Sequence, residues 1–93
     1  MIKISNDKTS NKVSVLLGKN IAYFRQLPKN QWSQDVLAQK MNSDKGFISQ
    51  VENAKRNVST EYIARLCQVF NIDPVELFKE RNFNLKPRVD SRK

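Results

Sequence analysis

Lys45, Ser49 and Gln50 place three side-chain hydrogen-bond donors within six residues, with Gly46 and Phe47 among them and Ile48 and Val51 three apart. If the stretch is helical, Ile48 and Val51 fall on one face, leaving Lys45, Gly46, Phe47, Ser49 and Gln50 on the outer one. The chemistry such a row offers is recognition. An α-helix fits the major groove of B-form DNA, where Lys45 is able to donate to guanine O6 or N7, Gln50 to pair with adenine through both amide atoms, and Phe47 to lie against a thymine methyl. Gly46 has no side chain and lets a helix approach closely, although glycine there lowers helix propensity by about 1 kcal/mol. Phe47 has a second reading, as a ring packed over the turn. Catalysis finds no footing: the chain has no His, one Cys and two Gly. Neither a paired-carboxylate cluster nor a phosphate-cradling glycine loop is present, so no enzyme, metal or cofactor is expected.

The elements that must position this row are short. Ser33 is placed to cap a helix, Gln34 and Asp35 fill its first turn, and Leu37, Ala38 and Met41 make its apolar stripe. Trp32, just before the cap, sits where a hydrophobic staple would clamp it against Leu37. Asn42 is suited to the left-handed conformation that stops a helix, and Asp44 to capping the next one at once. Two helices crossing steeply over such a turn need a short side chain where their axes meet, which Ala38 supplies. Around this unit, Val13, Leu16, Leu17, Ile21 and Phe24 follow a helical period that Pro28 ends. Ser59 caps a fourth helix, and Asp73, Pro74 and Glu76 read as a cap, a first-turn proline and a reciprocal carboxylate opening a fifth. Cys67 fits the core as a small apolar residue.

The stretch from Ser33 to Asn53 resembles the helix-turn-helix of the Cro/CI, or XRE, family of DNA-binding regulators. Gln34, Leu37, Ala38, Ile48, Val51 and Glu52 stand at the family's spacing. Leu17 to Arg25 is similar to its first helix and Val58 to Phe78 to its fourth and fifth, so about sixty of the 93 residues are covered. Three features depart from the pattern: Asn42 replaces the usual Gly, Ser43 an aliphatic residue, and the Leu27 to Trp32 connection is about two residues longer. The resemblance implies an all-α, compact five-helix lambda-repressor-like domain with a helix-turn-helix. It implies that Arg25 pairs with Glu52, tying the first helix to the end of the recognition helix, and that Asn53 donates to a phosphate. It further implies that part of the apolar surface of Tyr62, Val69, Ile72, Val75 and Phe78 forms a two-fold dimer contact, plain monomer core being the alternative. The compact single-domain form resembles phage Cro-like repressors and the controller proteins of restriction-modification systems.

The net charge is +8, unevenly spread: residues 1–32 carry +5, 33–57 +1, 58–80 −2 and 81–93 +4. Attraction to phosphate then comes largely from the flanks. Ser33 and Gln34, at a helix N-terminus, and Lys55 and Arg56, after the recognition helix, are the phosphate candidates, with a solvated loop as the rival for Lys55. The expected organisation is a flexible basic arm over 1–12, a DNA-binding domain over 13–80, and a basic extension over 81–93 in which Phe83 and Leu85 fold back on the fifth helix or the dimer seam. One cysteine and no apolar run near twenty residues fit a cytoplasmic protein with no membrane partner. The expected function is a homodimeric regulator of transcription that reads an inverted repeat in double-stranded DNA, blocking or recruiting RNA polymerase. The alternative is a helix-turn-helix antitoxin that binds a toxin protein and autoregulates its operon.

Overall fold

The computed structural model describes residues 6–83, with side chains from residue 11 onward. Four α-helices follow in order, α1 (Asn6–Arg25), α2 (Gln34–Lys40), α3 (Lys45–Glu52) and α4 (Thr60–Phe70), and a 3-10 helix, Pro74–Phe78, closes the domain. No strand occurs among the described residues. The core gathers Leu17, Ile21 and Phe24 from α1, Leu37, Ala38 and Met41 from the α2 region, and Ile48 and Val51 from α3. Leu66, Cys67 and Phe70 from α4 and Leu77 from the 3-10 helix complete it. Burial pushes the Cys67 thiol up, with Asp73 adding to the effect, so it stays protonated and inert near neutral pH.

The caps form at the expected residues because each supplies an oxygen to an amide the first turn leaves free. Ser33 Oγ accepts from Val36 N at 3.1 Å, Asp44 Oδ1 from Phe47 N at 2.8 Å, and Ser59 Oγ from Tyr62 N at 3.0 Å. Asn42 takes the left-handed conformation at φ 56°. The long connection after α1 closes on itself. Asn30 Nδ2 caps the Phe24 carbonyl at 2.8 Å, Gln31 turns the chain at φ 52°, and Trp32 N returns to Arg25 O at 2.9 Å. Trp32, expected to clamp Leu37, lies flat on Phe70 with centroids 5.7 Å apart, and Lys40 sits 4.7 Å above its ring.

Two elements differ from the sequence reading. Helix α1 begins at Asn6, well before the apolar period starts at Val13, because periodicity marks where a helix is buried and not where it begins. The fifth element is a five-residue 3-10 helix, not an α-helix, and Asp73 makes no side-chain cap bond to it. Glu76, expected to reach back to that cap, turns to Arg81 at 3.0 Å and Lys79 at 3.3 Å. Those cations hold its carboxyl below the usual carboxylate range. A depressed carboxylate stabilises the fold above its unfolded pKa, and that contribution is lost as pH falls through the folded value.

The buried polar residue of the core is Asn20. From the C-terminal half of α1 its Nδ2 donates to the main-chain oxygens of Leu77 and Lys79, both at 2.9 Å, while Arg81 Nε donates to its Oδ1 at 2.6 Å. Arg81 thereby belongs to the domain and not to a free basic tail. Phe83 also returns to α1, meeting Tyr23 edge-on at 6.4 Å. Leu85 lies outside the described residues.

Candidate nucleic-acid interface

Helices α2 and α3 form a two-helix unit across a turn that is fixed from both sides. Ser43 N donates to Ala38 O at 2.8 Å, and Arg65 of α4 donates from Nη1 to Met41 O at 3.1 Å. Ile48 and Val51 are buried, so α3 has no rotational freedom about its axis. Its outward face then follows from the helical period: Lys45, Gly46 and Gln50 are exposed and Ser49 is half-buried. A Cβ on Gly46 would meet only Asp44 Oδ1, at 3.3 Å, and its φ is not positive. The fold therefore has little need of glycine there.

The end of α3 is clamped by a carboxylate that takes three donors. Arg25 Nε lies 2.7 Å from Glu52 Oε2 and Arg25 Nη2 3.0 Å from Oε1, a bidentate pair, while Gln34 Nε2 donates to Oε1 at 2.9 Å. Arg25 Nη1 also donates to Trp32 O at 2.9 Å. One arginine thus ties α1, the loop before α2 and the exit of α3. Gln34, a phosphate candidate, has one amide proton committed to this cluster and keeps the other, alongside the main-chain amides at the start of α2. Ser33 is exposed with its hydroxyl acting as cap.

The remaining candidates divide. Phe47 is half-buried, edge-on to Tyr62 at 5.2 Å, with the Arg56 guanidinium 5.0 Å above its ring. Its ring is engaged on the protein, in line with the packing reading. Tyr62 is engaged with it, and burial raises its phenol above the ordinary value, with Ser43 and Arg65 pulling the other way. Asn53 ends α3 and donates from Nδ2 to Ser49 O at 2.8 Å; Lys55 is exposed. Of the other apolar residues singled out in the second half, Val69 and Ile72 are half-buried, while Val75 is 61% and Phe78 36% exposed. Val75 and Phe78 share the 3-10 helix, and Tyr62 is drawn instead toward α3.

Sequence reasoning passed over three residues that hold this arrangement. Gly18 lies where a Cβ would fall 2.6 Å from both Val51 O and Glu52 O, so α1 meets the exit of α3 backbone against backbone. An isolated glycine inside a helical pattern was the available signal. Asn20 stands beside Leu17, Ile21 and Phe24 on the buried side, a polar residue on an apolar stripe. Arg81 gave no local signal.

Ala54, just past α3, adopts φ 62°, a left-handed conformation that costs an L-residue about 1–2 kcal/mol. Ala54→Gly removes the clash and gives back part of the gain through the freer unfolded chain. The melting temperature should rise by a few degrees, roughly 0.5–1 kcal/mol. A decrease in thermal denaturation would show that this backbone carries no strain.

A family model described as helix-turn-helix matches residues 11–77. The control protein C.BamHI of Bacillus amyloliquefaciens is 29% identical over 68 residues, which span 73% of this chain and 83% of that protein. The crystal structure of the restriction-modification controller protein C.AhdI from Aeromonas hydrophila superposes with a TM-score of 0.63 at 32% identity, over 70% of this chain and 96% of that one. A hypothetical transcription factor, NHTF, from Neisseria shares the fold with a TM-score of 0.66 at 24% identity, over 72% of this chain and 75% of its own.

Proposed function

The chain belongs to the XRE-type helix-turn-helix family, a family of DNA-binding regulators, and from that premise we propose that it acts as a homodimer reading an inverted repeat in double-stranded DNA. The observation that carries the reading is α3 itself: a helix immobilised on one side by Ile48, Val51 and the Arg25–Glu52 pair, presenting Lys45, Gly46 and Gln50 unencumbered on the other. Inserted in a major groove, Lys45 donates to guanine and Gln50 pairs with adenine, while Ser49 flanks them. Gly46 admits the groove wall. Phe47 joins them through Arg56, which it supports. Ser33 and Gln34 at the start of α2, and Asn53, Lys55 and Arg56 after α3, hold phosphates on either side.

One such unit contacts too few bases to select a site, so two are needed. Val69, Ile72, Val75 and Phe78 supply the self-complementary surface. Support comes from a groove of about 380 Å³ that Phe78 borders together with Val13, Leu17, Val58 and Ile63, its polar lining being Ser14, Arg56 and Asn57. Val13, at 46% exposed, extends the same apolar area. Tyr62, engaged with Phe47, supports this surface only indirectly. No described helix is long and apolar enough to cross a membrane. Two named relatives are control proteins, one of a restriction-modification system, and regulation of transcription by blocking or recruiting RNA polymerase is the role that this likeness supports. The antitoxin alternative needs an additional element to hold a toxin, which only the termini could supply; residues 1–5 and 84–93 lie outside the described residues, and nothing described favours it. The same holds for DNA contacts by the basic residues 86–93.

Selection of bound duplexes from a random pool, at about physiological salt, tests the proposal. An enriched inverted repeat with half-sites about one helical turn apart is the expected result. Binding that fades uniformly as salt rises, with no motif enriched, would sink it. Against the selected site, Lys45→Ala and Gln50→Ala should each lose about 1–3 kcal/mol and relax preference at one base position. Lys55→Ala should weaken all sequences alike and reduce the salt slope by about one.

A further inference from the structure

The surface proposed for dimerisation stands on a weak element. A 3-10 helix of five residues has poor hydrogen-bond geometry and little stability of its own, and this one lacks a side-chain cap. Within it the closing bond is Glu76 N to Asp73 O at 2.9 Å, and its buried anchor is Leu77. Beyond its own main-chain turns, it is held from outside. Asn20 binds the carbonyls of Leu77 and Lys79, and Arg81 Nη2 binds the Glu76 carbonyl at 2.6 Å and its carboxylate at 3.0 Å. Arg81 Nε closes the circuit on Asn20 Oδ1, and the guanidinium rests 4.7 Å from the Tyr23 ring and 4.9 Å from that of Phe24. Asn20 is fully buried, so its end of the network is shielded from competing water, whereas the Glu76 side chain is 30% exposed. The carbonyls of Glu76, Leu77 and Lys79 are therefore held by α1 and Arg81, and they lie among the residues that present Val75 and Phe78.

We infer that Arg81 is a positioning residue for dimerisation: by locking Asn20 to the Glu76 carbonyl and carboxylate it fixes the 3-10 helix that presents Val75 and Phe78, and so governs operator affinity. The inference rests on the dimer reading above. It goes beyond that reading by naming a residue outside the apolar surface on which the surface depends. An unlocked 3-10 helix samples several conformations, and a two-fold contact must then order two of them at once, one from each copy. The penalty is doubled in the dimer and absent from the monomer.

Sedimentation across a concentration series, with wild type and Arg81→Ala side by side, is the test. The dissociation constant of the dimer should rise about tenfold or more, because an ordering cost of about 0.7 kcal/mol then falls on each of the two protomers, while the helical signal of the monomer is unchanged. Arg81→Lys should resemble Arg81→Ala, because one ammonium does not reproduce the forked donors that reach Asn20 and Glu76 together. Lys79→Ala, which loses a Glu76 partner but no bond to Asn20, should dimerise like wild type. Two Arg81→Ala copies joined by a flexible linker should regain operator binding. Should Arg81→Ala fold poorly, Glu76→Gln weakens the same lock at its exposed end and is expected to shift dimerisation in the same direction. Arg81→Ala dimerising as tightly as wild type, or a joined chain that still fails to bind, overturns the inference. A wild-type protein that stays monomeric while saturating its operator overturns the dimer reading itself.

Discussion

Arg25→Ala should lower the melting temperature by at least about 12 °C, a loss of roughly 3–5 kcal/mol. The pair it breaks is largely out of water, with side-chain exposures of 11% for Arg25 and 8% for Glu52, and its geometry is bidentate. Exposed ion pairs contribute little, but removing one partner of a buried pair leaves a charge without water or counter-ion. Glu52 would keep a single neutral donor, Gln34. The Trp32 carbonyl would lose its donor too, freeing the loop that leads into α2. Thermal denaturation at one fixed protein concentration measures the effect. The Arg25→Ala, Glu52→Ala double variant should be less destabilised than the two single changes added together, because it leaves no orphaned charge. An Arg25→Ala protein that melts within a degree or two of wild type would show that the pair contributes only geometry.

Gly18→Ala is expected to cost about 2–4 kcal/mol, against the sign that propensity alone would give. In an unencumbered helix the change from glycine to alanine stabilises by about 1 kcal/mol. Here the new methyl would sit 2.6 Å from two main-chain oxygens, and backbone does not swing aside as a flexible side chain would. Either α1 lifts from α3 or the last turn of α3 opens, and both disturb the carboxylate of Glu52. The control is in the same chain. Gly46→Ala, whose methyl would meet only one carboxylate oxygen at 3.3 Å, should leave stability unchanged or raise it by up to about 1 kcal/mol. Chemical denaturation of the two variants side by side decides the matter: equal signs would mean that the α1–α3 contact yields.

The helix-turn-helix was legible because its signals are local. Ser33, Asp44 and Ser59 each precede an apolar period by the spacing a cap requires, and Asn42 sits where the chain must turn, so the starts of α2, α3 and α4 could be read. The division of α3 into an inner and an outer side was equally legible from Ile48 and Val51. What lay hidden depended on residues far apart in the chain. Arg81 is 61 residues from Asn20, and nothing near either announces the bond between them. That bond also explains the misread fifth helix. Its capping pattern was real in sequence, but Arg81 and Lys79 take the Glu76 carboxylate and Asn20 takes two carbonyls, so tertiary partners outweigh the local ones. Phe47 shows the same limit on a smaller scale. Its position is outward by helical period, yet Tyr62, fifteen residues on, and Arg56 claim its ring.

The side chains of Lys45 and Gln50 make no bond to the rest of the described protein, and Gly46 has none to make, whereas α3 is anchored by Ile48, Val51, Glu52 and the ring of Phe47. Replacing those three residues should therefore change which sequence is preferred while the scaffold melts as before. Duplicated copies of such a gene would be free to diverge in target one residue at a time, without passing through an unfolded intermediate. Two copies in one cell could then become mutually indifferent switches built on the same frame.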